Sequence, residues 1–162
     1  MVSRIILFFL FYAHCTSCSL NFSSPLVGPL LLDAQIRPNV SDKVYVAISH
    51  ASLKRHMRSN FLQNSDELYS SLTSVDGYVG GSLRLEPFGD QVWALSLWVD
   101  KKSMDEFIKD HPQAIAAFTS EESIVDFRTS FFNMNSDEIP NVWQHAMLEL
   151  DSVPMKLISK QN

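Results

Sequence analysis

The four histidines beyond the N-terminal segment, at positions 50, 56, 111 and 145, are the side chains whose ordinary pKa lies nearest neutrality. They are the first candidates for moving a proton. His111 ends the series Met104, Phe107, Ile108, His111, spaced i, i+3, i+4, i+7, which sets it on the apolar face of a helix directly before Pro112. There it is the candidate catalytic acid or base, aimed into whatever the helix covers, or else the group that closes the helix end. His50 comes directly after a strand and is a candidate lining group at the mouth of the same cavity. A metal site is not expected, because the four histidines lack the short ligand spacing of structural zinc. Tyr45, Tyr78, Asp126 and Arg128 are candidate polar groups of a mainly apolar pocket. Trp98 joins Tyr45, His50 and Arg128 as a candidate substrate contact. No Gly-rich phosphate loop and no Gly-x-Ser-x-Gly elbow occurs.

The elements that must position these groups centre on residues 77–118. Residues 78–86 read as a strand, Pro87-Phe88-Gly89-Asp90 as a hairpin turn, and residues 91–99 as the returning antiparallel strand. In that second strand Trp93, Leu95, Leu97 and Val99 point one way and Val92, Ala94, Ser96 and Trp98 the other, so both faces are apolar and both need cover. Helices supply one cover. The rest of the chain is short, so the other face is expected to meet a ligand cavity, a second sheet or another subunit. After Asp100, the pattern Ser103-x-x-Glu106 fits a capping box opening a helix. Pro112 ends it, and residues 113–118 are expected to form a second short turn.

Residues 43–49 alternate Val44, Val46 and Ile48 against Lys43, Tyr45, Ala47 and Ser49, a first strand. Leu53, Met57, Phe61, Leu68, Tyr69 and Leu72 then follow a helical period, with Asn64-Ser65-Asp66 predicting a kink or a break into two helices. Residues 124–134 alternate as a fourth strand. Ser136 or Asp137 caps a closing helix that carries Pro140 in its first turn and docks by Trp143, Ala146, Met147 and Leu150.

Residues 1–19 read as a signal peptide, with an uncleaved N-terminal anchor as the alternative: Arg4, an apolar run over 5–13 and small residues at 16–19. That run is short of the roughly 20 apolar residues a membrane-spanning helix needs. No stable membrane insertion is therefore expected after cleavage, and the expected location is secreted or lumenal. Both cysteines, Cys15 and Cys18, fall inside this segment, so a cleaved chain holds no disulfide. It keeps 12 Lys+Arg against 18 Asp+Glu, a net charge of −6 that argues against nucleic acid. Residues 20–42, with Pro25, Pro29 and Pro38, read as a linker or extended arm, residues 43–151 as the folded domain and 152–162 as a tail. Asn21-Phe22-Ser23 and Asn39-Val40-Ser41 match the N-glycosylation acceptor.

The resulting order, β, α, β, β, α, β and a C-terminal helix, is the α+β ferredoxin-like arrangement: a four-stranded antiparallel sheet with helices on one face. Gly77-Tyr78-Val79-Gly80-Gly81, the run from Trp93 to Asp100, Met104-Asp105-Glu106-Phe107 with His111, and the segment from Asp137 to Trp143 together resemble the dimeric α+β barrel proteins of the antibiotic-biosynthesis-monooxygenase type. The closing segment looks like a predominantly bacterial, uncharacterised branch. The resemblance implies a homodimer with a cavity between sheet and helices, which different members use for cofactor-free oxidation, haem chemistry or isomerisation; a small organic ligand with no cofactor is expected here, with haem binding as a third possibility. It also implies cofactor-free oxidation of a phenol as the most natural reaction, with non-catalytic binding or dimerisation as the alternative. The haem-degrading members use Asn, Trp and His, and the matching positions here hold Ile48 or Ser49, Phe107 and Ala117.

Overall fold

The computed structural model describes residues 22–33, 35–37, 41–112, 116 and 122–157. The expected leader, Asn21, Asn39, Ala117 and most of the turn expected over 113–118 lie outside the described residues. In chain order the strands are β1 (Phe22–Ser23), β2 (Leu31–Leu32), β3 (Gln35–Ile36), β4 (Lys43–Leu53), β5 (Tyr78–Leu85), β6 (Gln91–Trp98), β7 (Ile124–Asn135) and β8 (Lys156–Leu157). The helices are α1 (Arg58–Leu72), α2 (Lys101–Asp110) and α3 (Val142–Asp151).

The main sheet runs β1-β5-β6-β4-β7-β8 with antiparallel neighbours throughout. Its four long strands, with α1 joining β4 to β5 and α2 joining β6 to β7, form the expected ferredoxin-like βαββαβ unit. Burial alternates along β4, where Val44, Val46 and Ile48 are buried between partly exposed neighbours, as a period of two requires.

Local chemistry departs from expectation in three helices. No break occurs in α1 at Asn64-Ser65-Asp66, because Ser65 turns its hydroxyl back to the Phe61 carbonyl (2.7 Å) and is itself buried. In α2 the cap is Asp100, whose carboxylate accepts from the Ser103 backbone N–H (2.8 Å), so Ser103 lies inside the first turn. A 3-10 turn, Ser136–Asn141, precedes α3, which docks by Val142, Ala146 and Leu150 while Trp143 is only partly buried.

The largest correction concerns the sheet faces. Helices α1 and α2 cover one of them, through Phe61, Leu72, Met104 and Phe107. The other is not left bare: α3 and the N-terminal arm cover it, packing Leu31, Val142, Ala146 and Leu150 onto Val46, Ile48, Leu95 and Leu97. One chain thus supplies both covers that β6 needs. The arm belongs to the folded unit. Ser24 N–H bonds to the Leu83 carbonyl (2.8 Å), and Val27 and Gly81 exchange bonds of 3.1 and 2.8 Å. Gly28 crosses β5 so closely that a Cβ there would meet the Val79 carbonyl oxygen and the Gly80 Cα, and a Cβ on Gly80 would strike the Leu31 side chain. The Gly80-Gly81 pair is therefore where the arm crosses the strand.

Gly28→Val should detach the arm or strain β5, lowering stability by about 1–3 kcal/mol. Thermal or denaturant unfolding against the parent chain would measure this, and an unchanged midpoint would contradict the crossing.

Candidate functional site

The space between the sheet and the helix pair follows from side-chain size. On the helix-facing side of the two central strands, Ala47 pairs with Ser96 and Ser49 with Ala94, a block of four small side chains. Larger groups frame it: Trp98 and Phe127 from the sheet, Phe61 and Tyr69 from α1, Met104 and Phe107 from α2. Helices resting on the tall rim cannot descend to the low centre, and a cavity of about 240 Å³ remains. Ile108 and Phe131 line it and are also exposed, which puts its mouth between α2 and β7.

Polar groups reach the cavity sparsely. Ser49 and Thr129 share one hydroxyl–hydroxyl bond (3.0 Å), and Ser96 accepts from the Trp98 indole N–H (3.1 Å). Tyr69 directs its hydroxyl to the Ser82 and Leu95 carbonyls at 3.2 and 3.3 Å, and burial pushes its pKa above the ordinary tyrosine value. It is held as a neutral phenol. Trp98 and Tyr78 meet in a T-shaped contact with centroids 5.3 Å apart, and the Trp98 ring tilts on Phe107 at 5.4 Å.

Of the residues singled out from the sequence, Trp98 lines the cavity, buried to 2% exposure. His111 does not. It is the exposed C-cap of α2, its ring stacked on Phe107 at 4.7 Å and its Nδ1 3.2 Å from the Phe107 carbonyl, so the helix-closing role holds and the cavity-facing one fails. Tyr45 stacks on Phe131 outside the lining, with centroids 6.3 Å apart. Arg128 lies on the far face of the sheet, where it donates to Asp151 (3.1 Å) and to the Leu150 (3.2 Å) and Val153 (3.4 Å) carbonyls, closing the end of α3. His50 borders the cavity, yet its imidazole stacks on Trp93 at 4.7 Å, and Trp93 packs with the far-face core. Sequence reasoning missed Ser49, Ser96 and Thr129. The available signal was the run of small residues, Ala47 and Ser49 against Ala94 and Ser96, at matching positions of two paired strands.

No known family's sequence pattern matches the chain, and no curated protein does. Among solved structures, a protein from Shewanella oneidensis superposes with a TM-score of 0.50 at 14% identity, over 58% of this chain and 93% of its own. A conserved protein from Methanosarcina mazei gives 0.49 at 19%, over 60% and 96%. One from Chloroflexus aurantiacus, assigned provisionally to the antibiotic biosynthesis monooxygenases, gives 0.45 at 16%, over 57% and 91%. The likeness is to the ferredoxin-like α+β fold. At these identities the likeness is one of architecture, and this fold's chemistry in the present chain has to be argued from its own side chains. Among the described residues no His, Cys, Asp and Glu cluster suits a metal, and no helix is long and apolar enough to cross a membrane.

Burial is the largest influence on His50 and lowers its pKa below the ordinary 6.5, against the raising effect of its bond to Gln91. The unfolded chain therefore takes up this proton more readily, and stability should be full above about pH 6.5 and fall as the pH drops from there through the folded-state value. Denaturant unfolding from about pH 5 to 8 reads this. His50→Gln should flatten the trend, and an unaltered slope would refute the assignment.

Proposed function

We propose that the protein binds a small, mainly apolar organic molecule, aromatic in character, in the cavity under α1 and α2. The observation that carries this reading is a cavity with aromatic walls whose polar groups are chiefly hydroxyls on its sheet floor. Of the Ser49 and Thr129 hydroxyls one proton is used between them, which leaves one O–H to donate, and the Ser96 O–H is free to donate as well. An oxygen on an otherwise apolar ring system fits such a floor. The volume, below the roughly 300–1,000 Å³ of common ligand pockets, suits one or two fused rings.

Cofactor-free oxidation of a bound phenol is the second reading, favoured by the apolar cavity, where a phenolate would be poorly solvated and reactive toward oxygen. It needs a proton acceptor, and His111 is badly placed for that. The same proposal includes a cleaved leader, a secreted or lumenal location and a homodimer. With the far sheet face covered, a second copy would use the length of β7 that β8 leaves free, where Phe131 is 48% exposed beside the cavity mouth. Light scattering on the mature protein tests that assembly.

A neutral aromatic probe, 1-naphthol, should bind saturably and protect the protein from heat. Ala94→Leu, which fills the low centre of the floor, should weaken it at least about tenfold, a loss of roughly 1.4 kcal/mol. His111→Ala should leave binding unchanged. Equal affinity in the parent and the Ala94 variant would defeat the cavity assignment, and binding with no oxygen uptake would leave the non-catalytic reading standing.

A further inference from the structure

On the far face of the sheet, beside the apolar core, the strand register sets hydrogen-bonding side chains in a row. His50 on β4 pairs with Trp93 on β6 and with Arg128 on β7, while Asp126 lies two residues before Arg128, paired with Ser52. Alternation puts all four side chains on one side of the sheet. The end of α3 roofs them, because two nitrogens of Arg128 are spent on Leu150, Val153 and Asp151.

Four buried atoms of this row have no hydrogen-bond partner among the described residues: His50 Nδ1, Trp93 Nε1, Asp126 Oδ1 and Arg128 Nε. His50 is only 7% exposed. Each buried polar atom left unbonded costs about 1–3 kcal/mol, so four together call for a resident partner. The network fixes what each one offers. Gln91 donates its amide N–H to Asp90 (2.8 Å) and so turns its oxygen toward Ser52 (3.2 Å) and His50 Nε2 (2.6 Å). The His50 proton therefore sits on Nε2, and Nδ1 presents a bare lone pair. The row thus holds two acceptors, His50 Nδ1 and Asp126 Oδ1, and two donors, Trp93 Nε1–H and Arg128 Nε–H.

We propose that this row encloses an internal hydration site, in which a bound water donates to His50 Nδ1 and Asp126 Oδ1 and accepts from Trp93 Nε1–H and Arg128 Nε–H. The Arg128 guanidinium repels a metal cation. The Asp126 carboxylate and the His50 lone pair repel an anion. What remains is a small neutral molecule able to donate twice and accept twice, and water meets that need in the least space. Bound there, it links β4, β6 and β7 beneath the clasp that holds α3 to the sheet.

A crystal structure of the protein at high resolution tests this directly. Ordered solvent density about 2.7–3.2 Å from at least three of the four atoms is expected. A dry site whose atoms bond one another, or density that refines as an ion or an organic molecule, would overturn the assignment. In solution, oxygen-17 magnetic relaxation dispersion should count one fewer long-lived water in the His50→Phe, Trp93→Phe double variant than in the parent. An unchanged count in a folded variant would also overturn it, and if the variant does not fold the parent crystal decides.

Discussion

Strand β6 carries apolar side chains on both faces, and every other part of the molecule stands in relation to that constraint. Leaving one face wet would forgo the burial of Val46, Ile48, Leu95 and Leu97, all fully buried. At about 1.5–3 kcal/mol each this comes to roughly 6–12 kcal/mol. A domain's whole stability is of that order, about 5–15 kcal/mol, so a bare face was never an option. The chain meets the demand itself, with α1 and α2 on one side and α3 and the arm on the other. Glycine at 28 and 80 lets the arm lie down on β5, and the i, i+4, i+8 spacing of Val142, Ala146 and Leu150 lets α3 follow.

The two covers are not equivalent. On the far face Leu31, Val142, Ala146 and Leu150 pack onto Val46, Ile48, Leu95 and Leu97. On the near face the strands offer Ala47, Ser49, Ala94 and Ser96, and the helices rest on aromatic groups around them. The resulting space gives up dispersion contacts that a filled core would have. A chain that keeps an apolar cavity at that cost, with hydroxyls at its floor, has the physical makings of a binding site.

Polar side chains are sorted by the same alternation. Ser49 and Thr129 face the cavity, while their strand neighbours His50 and Arg128 face α3. A register slip of one residue would exchange the two sets and put a guanidinium in the apolar cavity. At the β5–β6 hairpin, Arg58 of α1 donates to the carbonyls of Glu86, just before the turn, and Gly89, within it.

Periodicity and turn chemistry in the sequence alone determined the order of the four long strands and the helices α1, α2 and α3, the antiparallel pairing of β5 with β6, the two-faced character of β6 and the ferredoxin-like fold, but not the short strands β1, β2, β3 and β8. Each depends on residues close in the chain, where a period of 2 or 3.6 is a direct readout of backbone geometry. Only the tertiary structure decided what covered the far face, because the arm and α3 lie some 40 to 75 positions from β5 and β6 and carry no local mark of where they dock. The same reason moved His111 out of the cavity and Arg128 onto α3, since an apolar stripe says which side of an element is buried and not what it is buried against. The cavity itself was written across two strands, in four small residues that become neighbours only once β4 and β6 are in register.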